Sequence, residues 1–277
     1  MEMLRIIVDS GSSIKQDEKD RYQVDILPIH VQIGEESFLD GVDLTINEFY
    51  ERLGRTKEFP KTSLPSLVDA QNLAEHYTKA GDEVLFITIS SEISGTYQAL
   101  RMLFAENPKV TVFDSRLAVG GIRFLVEEAR RYEQEPMEVI VDKLNRLIPR
   151  IVVAAIPETL DYLLAGGRLS RAEWMVGTLL AIKPVVGIQD GKVSVLAKKR
   201  GLKQSKNYIA DLVRTEQCDP DYGIVASYTY NKKNLDEVIG MTDPEYRKMI
   251  KVYDNLIPSI ACHWGPNAFG YIFVKRI

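Results

Sequence analysis

The segment Ser94-Gly95-Thr96 carries the clearest chemical signal in this sequence of 277 residues. It follows an apolar run that ends at Ile89 and precedes a helical pattern that begins near Tyr97. Glycine allows a ligand to approach the backbone closely, and a helix N-terminus offers free N–H groups and the positive end of its dipole. Two hydroxyls beside such a terminus would hold an oxyanion or a carboxylate. N-capping of the helix by Ser94 or Thr96 explains the same residues equally well.

Two other segments could bind an anion. Thr62 and Ser63 lie in a hydroxyl-rich segment that continues with Leu-Pro-Ser, a pattern also typical of a plain turn before a helix. The pair Gly166-Gly167 ends one helical pattern, and the Arg168 that follows could hold an anion through two parallel hydrogen bonds. A helix C-cap followed by an exposed arginine explains this second segment as well.

The sequence has 3 histidines, and His263 has the most promising surroundings. It lies beside a Gly-Pro loop, close to the start of a predicted strand, although a structural histidine would fit there too. His30 is expected to be structural and His76 to lie on the surface. Cys262 precedes His263, but we expect no catalytic pair, because neighbours on a strand point to opposite faces.

Several common catalytic and cofactor motifs are absent. The segment 187–193 resembles a phosphate-binding loop but is one residue short and lacks the Ser or Thr after its lysine. The sequence has no G-x-G-x-x-G after a strand, no H-E-x-x-H and no G-x-S-x-G. These absences argue against nucleotide binding, a zinc protease and an α/β-hydrolase. No cofactor or metal is therefore expected on this chain.

Composition excludes further classes of protein. Lys and Arg number 35 against 39 Asp and Glu, and a net charge of -4 argues against a nucleic-acid partner. The two cysteines, Cys218 and Cys262, offer no disulfide framework, which is typical of a reducing compartment. No apolar stretch is long enough to span a membrane, and the N-terminus lacks the basic start of a signal peptide. We therefore expect a cytoplasmic protein.

The first half of the sequence predicts a parallel α/β sheet. Apolar runs at 5–8, 83–89 and 110–113 each stop at hydroxyl or carboxylate residues, and the second and third are followed by clear helical patterns. Ligands of open α/β sheets bind beyond the carboxyl ends of the strands. The residues between Tyr22 and Pro60 alternate poorly and are expected to form an irregular excursion of this domain.

The second half predicts a different architecture. Pro149-Arg150 resembles a domain boundary, and Asp190-Gly191 between two apolar runs predicts a β-hairpin. Hairpins mixed with helices indicate an α+β domain. We therefore predict an α/β domain over residues 1–150 and an α+β domain over residues 151–277. The segment 174–181 is apolar on nearly all sides, so it is expected to form a buried helix.

Taken together, the motifs resemble those of the DegV family, the bacterial fatty-acid-binding proteins of the EDD fold. The resemblance covers nearly the whole chain, and it depends on the joint order of motifs that are weak one by one. The motifs are Val8-Asp9-Ser10, Asp40-Gly41-Val42-Asp43, Thr62-Ser63-Leu64-Pro65-Ser66, Ile93-Ser94-Gly95-Thr96-Tyr97, Phe113-Asp114-Ser115, Gly166-Gly167-Arg168-Leu169-Ser170, Ile182-Lys183-Pro184 and His263-Trp264-Gly265-Pro266.

The resemblance implies an N-terminal α/β/α domain and a C-terminal α+β domain with a long-chain fatty acid between them. Thr62 and Ser94 would hold the carboxylate, with His263 close by and Arg168 near the head group. Family members act as the non-catalytic, lipid-binding subunit of a fatty acid kinase. A separate subunit supplies ATP and metal and converts the carboxylate to an acyl phosphate for phospholipid synthesis. Transient contact with the membrane is implied as well.

Other residues would shape the site. Gly120 and Gly121, at the start of a helix, would leave room for an acyl chain against bare backbone. The sequence departs from the family pattern at Val8, Trp264 and Asn267, and Trp264 is expected to reshape the mouth of the pocket.

Two alternative functions stay open at this point. One is a stand-alone serine hydrolase that uses His263 with Asp9 or Asp114. The other is a small-anion or phosphosugar-binding protein that uses the same helix N-terminus. A long apolar pocket would favour the fatty acid, and a short polar one would favour the small anion.

Overall fold

The computed structural model describes residues 3–177 and 181–276, and side chains are described for these residues except 176 and 177. The strands are β1 Leu4–Asp9, β2 Val24–Leu27, β3 His30–Ile33, β4 Glu36–Leu39, β5 Lys61–Ser63, β6 Glu83–Thr88, β7 Val110–Asp114, β8 Ile151–Ile156, β9 Ile182–Gln189, β10 Lys192–Arg200, β11 Ile224–Tyr228, β12 Ile250–Asn255 and β13 Phe269–Val274. The helices are α1 Lys19–Tyr22, α2 Ile46–Leu53, α3 Leu67–Lys79, α4 Thr96–Leu103, α5 Gly120–Arg131, α6 Met137–Leu147, α7 Asp161–Ala165, α8 Arg171–Gly177, α9 Gly201–Thr215, α10 Lys233–Met241, α11 Pro244–Arg247 and α12 Pro258–Trp264.

The N-terminal half contains a fully parallel sheet in the order β2-β1-β6-β7. Its strands are apolar on both faces because both faces are covered. Ile7 and Phe86 pack with α3 and α4 on one side, while Val8 and Ile87 pack with α5 on the other. The prediction of a buried parallel sheet from three apolar runs is therefore confirmed.

The C-terminal half contains a six-stranded sheet in the order β10-β9-β8-β13-β11-β12. Its strand pairs are antiparallel except β11–β12. One face packs against α9 and α10. On the other face, Val153, Val225 and Ile272 join the apolar core that also contains α5. A parallel α/β sheet followed by a separate mixed sheet confirms the predicted fold class.

A third, small sheet in the order β4-β3-β5 corrects one expectation. Residues 22–60 are not an irregular excursion, because they form β2, β3, β4 and α2. Each strand is only 4 residues long, too short for alternation to be recognised in the sequence. Val31, Ile33 and the helical Phe49 form a separate buried cluster with Ala261 and Cys262 of α12. This cluster holds the small sheet against the C-terminal half.

Local sequence signals explain where several elements begin and end. Ser66 caps α3 by accepting a hydrogen bond from Asp69 N, and Ser170 caps α8 in the same way with Glu173. Asp190 and Gly191 have positive φ angles of 49° and 83°, as the predicted hairpin turn requires. The strands of the parallel sheet all precede residue 150 and those of the mixed sheet all follow it. Among the described residues, no helix is both long enough and apolar enough to cross a membrane.

Candidate ligand-binding site

A cavity of about 280 Å³ lies between the carboxyl ends of the parallel strands and the mixed sheet. Its volume is near the lower end of the roughly 300–1,000 Å³ that is usual for small-molecule sites. Both halves of the chain contribute to its wall, which is mostly apolar. The apolar residues of the wall are Ile29, Leu64, Ile89, Ile93, Ala118, Val119, Val153, Leu163, Ile188, Val193, Ile260 and Trp264.

Polar residues from four separate segments meet in the same wall. The structure brings together six of the nine residues singled out in the sequence, and Ser259 adds a hydroxyl. The six are Thr62, Ser63, Ser94, Gly95, Arg168 and His263. A mostly apolar cavity with a few convergent polar groups is the usual form of a small-molecule site.

Thr62 and His263 form the central contact of this polar group. Thr62 lies on β5, which pairs with β3 so that Thr62 is opposite Val31. His263 lies near the end of α12, which packs against β5. The Thr62 Oγ1 to His263 Nε2 distance is 2.9 Å. The small sheet that sequence patterning missed is therefore the element that positions Thr62.

His263 is a neutral imidazole at neutral pH. Burial, together with the charge of the nearby Arg168, lowers its pKa to about 3. The Nδ1 atom is buried without a hydrogen-bond partner, and a Cβ on Gly166 would come within 2.2 Å of it. Buried N–H groups without an acceptor are rarer than buried acceptors without a donor, which favours the proton on Nε2. His263 then donates to Thr62, whose own O–H is left to donate elsewhere.

Ser94 lies in the loop that connects β6 with α4. The N–H groups of Ile93 and Ser94 both donate to the Ser90 carbonyl, which turns the chain tightly after the strand. Ser94 Oγ lies 2.9 Å from Thr96 Oγ1 and accepts a hydrogen bond from Thr96 N. The residue that caps α4 is Gly95, which uses no side-chain hydrogen bond. Ser94 thus supports its own turn and also lines the cavity.

Arg168 connects the loop before α4 with the turn after α7. Its Nε donates to the Ile93 carbonyl at 3.0 Å, and its Nη1 donates to the Gly166 carbonyl. The guanidinium is partly buried, and burial lowers its pKa from the ordinary value. It is therefore not the exposed arginine of a plain helix cap. Its charge reaches the cavity from a fixed position beside the Ser94 loop.

Three of the singled-out residues lie outside the cavity wall. Thr96 is buried and bonds to Ser94, but it does not line the cavity. Gly120 and Gly121 do not provide the expected room for an acyl chain. A Cβ on Gly120 would meet Val225 at 3.0 Å, and one on Gly121 would meet Leu117 at 3.3 Å. Both glycines serve the close packing of α5 against its neighbours.

Trp264 is buried, and the expectation that it reshapes the mouth of the pocket stays a prediction. Its side chain is 9% exposed and lines the cavity directly after His263 in sequence. The prediction that the segment 174–181 forms a buried helix is wrong for the residues whose side chains are described. Met175 is 60% exposed, Trp174 is half-buried and does not line this cavity, and Ala181 is exposed. The side chains of residues 176–180 lie outside the described part of the chain.

Val119 and Ser259 are wall residues that the sequence did not reveal. Val119 has a φ of 51°, a strained conformation for a β-branched residue, and its N–H donates to the Gly11 carbonyl at 2.7 Å. Ser259 lies one helical turn before His263 on the same face of α12. Proline is favoured at the first position of a helix, so Pro258 could have indicated that a helix begins there. That helix would have placed Ser259 and His263 on one face.

The geometry does not assemble a serine hydrolase among the described residues. Asp9 accepts hydrogen bonds from Gly11 N and Ile89 N, and Asp114 accepts them from Ser91. Neither carboxylate bonds to His263, whose Nδ1 has no partner. The orienting contact that a Ser-His-Asp triad needs is therefore missing. The described residues also contain no group of three or more side chains suited to hold a metal ion.

Comparison with known proteins agrees with this arrangement. A model of uncharacterised proteins of the DegV family matches residues 3–276. A DegV domain-containing protein of Caldanaerobacter subterraneus is 31% identical over 100% of both chains. The structure of a fatty acid binding DegV family protein from Streptococcus agalactiae has a TM-score of 0.90 at 27% identity, with 100% of both chains covered.

A second solved structure extends the comparison to a named ligand. A stearic acid-binding protein from Eubacterium ventriosum has a TM-score of 0.86 at 25% identity, with 99% of this chain and 98% of that chain covered. The family match spans nearly the whole sequence, and the full-length relative exceeds 30% identity. This chain belongs to the DegV family.

Proposed function

We propose that this protein binds a long-chain fatty acid in the cavity between its two halves and holds the carboxylate at Thr62, Ser94 and His263. The observation that carries the proposal is the combination of an apolar wall with one cluster of neutral hydroxyl donors. A carboxylate accepts hydrogen bonds strongly from such donors. The fatty-acid-binding proteins of similar structure support the same ligand class.

The chemistry of the wall suits an amphipathic anion. Each buried methylene contributes about 0.8 kcal/mol, so a long chain draws most of its affinity from the apolar wall. The Thr62 hydroxyl, which His263 supplies with a hydrogen bond, donates to one carboxylate oxygen. Ser94 donates to the same head group, and the nearby Arg168 adds a favourable charge. Because His263 is neutral, it forms no strong ion pair with the carboxylate, and such an ion pair would slow release of the fatty acid.

We further propose that the protein works in the cytoplasm as the non-catalytic subunit of a fatty acid kinase. It would collect the fatty acid during transient contact with a membrane and present the carboxylate to an ATP-binding partner. That partner supplies nucleotide and metal and forms the acyl phosphate for phospholipid synthesis. The absence of phosphate-loop and dinucleotide motifs from the sequence is consistent with this division of labour.

The first experiment identifies the ligand. The protein is purified without added lipid, extracted with organic solvent and analysed by mass spectrometry, and the extracted protein is then titrated with oleate. We expect a bound long-chain fatty acid and saturable rebinding. A protein that contains no lipid and binds none contradicts the proposal. Selective binding of a small phosphorylated sugar would favour the alternative small-anion function.

The second experiment tests the kinase role. The fatty-acid-loaded protein is mixed with the ATP-binding subunit of a bacterial fatty acid kinase, Mg²⁺ and ATP. Acyl phosphate is trapped with hydroxylamine, and the hydroxamate is measured. We expect product only when both proteins are present. Lipid binding without any acyl phosphate from several such partners would retain the carrier function and reject the kinase role.

A further inference from the structure

A second, much smaller cavity lies directly beside the first. Its volume is about 20 Å³. Val119, Val153 and Trp264 line both cavities, so these side chains form the partition between them. Thr62, Ser94 and His263, the residues proposed to hold the carboxylate, do not line the second cavity. It therefore adjoins the first cavity without direct contact with Thr62, Ser94 or His263.

The second cavity is lined mainly by small or apolar side chains. Ala154, Ala155, Ala268 and Gly270 contribute to its wall, and Ser227 is its one polar residue. Such a wall offers space for methylene groups and little for a charged group. Joining this cavity to the first would add apolar space for an acyl chain.

Trp264 is the one residue of the partition whose removal would open substantial space. Val153 lies in a central strand of the mixed sheet, and the Val119 backbone is fixed by its bond to Gly11. Both are small side chains compared with an indole. Trp264 is 9% exposed and lies at the end of α12, one residue after His263. One short helix thus carries both a head-group contact and the partition.

We propose that Trp264 sets the upper limit of the acyl chain length that this protein accepts. This inference depends on the proposed fatty-acid function and deepens it. The indole closes the large cavity where the second cavity would otherwise extend it. A chain that is too long must then leave methylenes in water or strain the wall. Each methylene that gains a buried position raises affinity by about fourfold.

The test compares wild type with Trp264→Leu, which keeps an apolar side chain but removes the indole. Both proteins are stripped of lipid and offered an equal mixture of the even-numbered saturated fatty acids from lauric to arachidic acid. The bound pool is measured by mass spectrometry. We expect the preference for stearic over myristic acid to rise by more than about tenfold in the variant.

Two further variants make the result specific. Trp174→Leu removes the other tryptophan, which lines neither cavity, and should leave the distribution unchanged. Ala268→Val in the Trp264→Leu background fills the second cavity from a wall residue that the first cavity does not share, and it should restore the preference for shorter chains. If Trp264→Leu does not fold, Trp264→Phe removes less volume and should give a smaller shift in the same direction.

The outcomes separate this inference from the proposed function. If wild type binds no fatty acid, the proposed function is wrong. If wild type and the Trp264 variants bind fatty acids with the same length distribution, the function stands and the role of Trp264 is rejected. A shift to longer chains that also occurs in Trp174→Leu would likewise reject it.

Discussion

Among the described residues, two polar clusters lie near the carboxyl ends of the parallel strands, and one of them lines the cavity of about 280 Å³ between the two halves. The cavity cluster consists of Thr62, Ser94 and His263. The buried cluster consists of Asp9 and Asp40, with Ser10 between them. The sequence marks both in the same way, with polar residues close to apolar strands.

The clusters differ in how their atoms are used. Asp9 accepts two backbone N–H groups, and Ser10 Oγ donates to Asp40 Oδ2 at 2.8 Å while it accepts from Ile29 N. Burial raises the pKa of Asp9 to about 7 and that of Asp40 to about 6. Most polar atoms of the buried cluster bond to neighbouring backbone and side chains, although Asp40 Oδ1 has no hydrogen-bond partner and Ser10 and Asp40 line a separate cavity of about 400 Å³. The hydroxyls of the cavity cluster instead face a mostly apolar wall. The comparison can be tested by breaking each cluster separately.

The largest effect is expected from Asp9→Ala in the buried cluster. The change leaves the N–H groups of Gly11 and Ile89 without their acceptor in the core. At about pH 4, where Asp9 is protonated in the folded protein, we expect a loss of about 3 kcal/mol in the free energy of unfolding, measured by urea denaturation. Fatty-acid affinity of the folded variant should change little. A large loss of affinity with unchanged stability would remove the distinction between the clusters.

The next effect is a pH-dependent gain in stability for Asp40→Asn. Between about pH 4 and 6 the folded wild type holds a proton on Asp40 that the unfolded chain releases, so this carboxyl lowers stability as pH rises through that window. The amide has no such proton. The stability of the variant relative to wild type should therefore increase by about 2–3 kcal/mol from pH 4 to pH 8.

Urea denaturation at several pH values measures this difference. Asp211→Asn, at an exposed position on α9, is the matched control and should stay within about 0.5 kcal/mol of wild type throughout. A flat difference for Asp40→Asn would show that folding does not raise the pKa of Asp40.

Thr62→Val is the corresponding test of the cavity cluster. It keeps the shape of the side chain but removes the hydroxyl that faces His263. We expect fatty-acid affinity to fall about tenfold, since a hydrogen bond to a charged group is worth roughly 1.5–3 kcal/mol. Titration calorimetry with oleate measures it. Thr215→Val, whose hydroxyl bonds to Leu212 O on α9, should bind normally. Unchanged affinity in Thr62→Val would remove Thr62 from the site.

The smallest effect is expected from Gly166→Ala, which acts on the cavity cluster indirectly. The new Cβ would come within 2.2 Å of His263 Nδ1, so the ring must move away from its bond with Thr62. We expect affinity to fall about fivefold, the value of one net hydrogen bond. Gly240→Ala, where a Cβ meets nothing within 4 Å, is the control. Equal affinity in both variants would show that the Thr62–His263 contact is dispensable.

The sequence predicted those parts of the fold whose signals are local and repeated. Three of the four parallel strands are continuous apolar runs, and the Asp-Gly pair at 190–191 marks the hairpin turn. Sequence patterns did not predict the small sheet, because its strands are short. They also predicted a strand around His263, where the structure has the helix α12. The argument against a Cys262–His263 pair from strand geometry therefore does not apply.

The site was predictable only in part. The Ser94 loop stood out because a strand, a glycine and a helix start follow one another. The pairing of Thr62 with His263 joins residues 201 positions apart, and only the resemblance to a family suggested it. Gly120 and Gly121 were instead suggested by the local sequence but do not line the cavity. A glycine before a helix can mark space for a ligand or close packing, and only their neighbours in the fold distinguish the two.

The long sequence separation of the Thr62–His263 contact also has a thermodynamic consequence. The cavity cluster exists only while the two halves of the chain are docked, so a ligand that needs the cluster binds the docked form and not the separated one. Binding then adds RT ln(1 + [L]/Kd) to the stability of the docked chain. Thermal stability should therefore report the free concentration of the ligand, and a loaded molecule should resist unfolding and proteolysis better than an empty one.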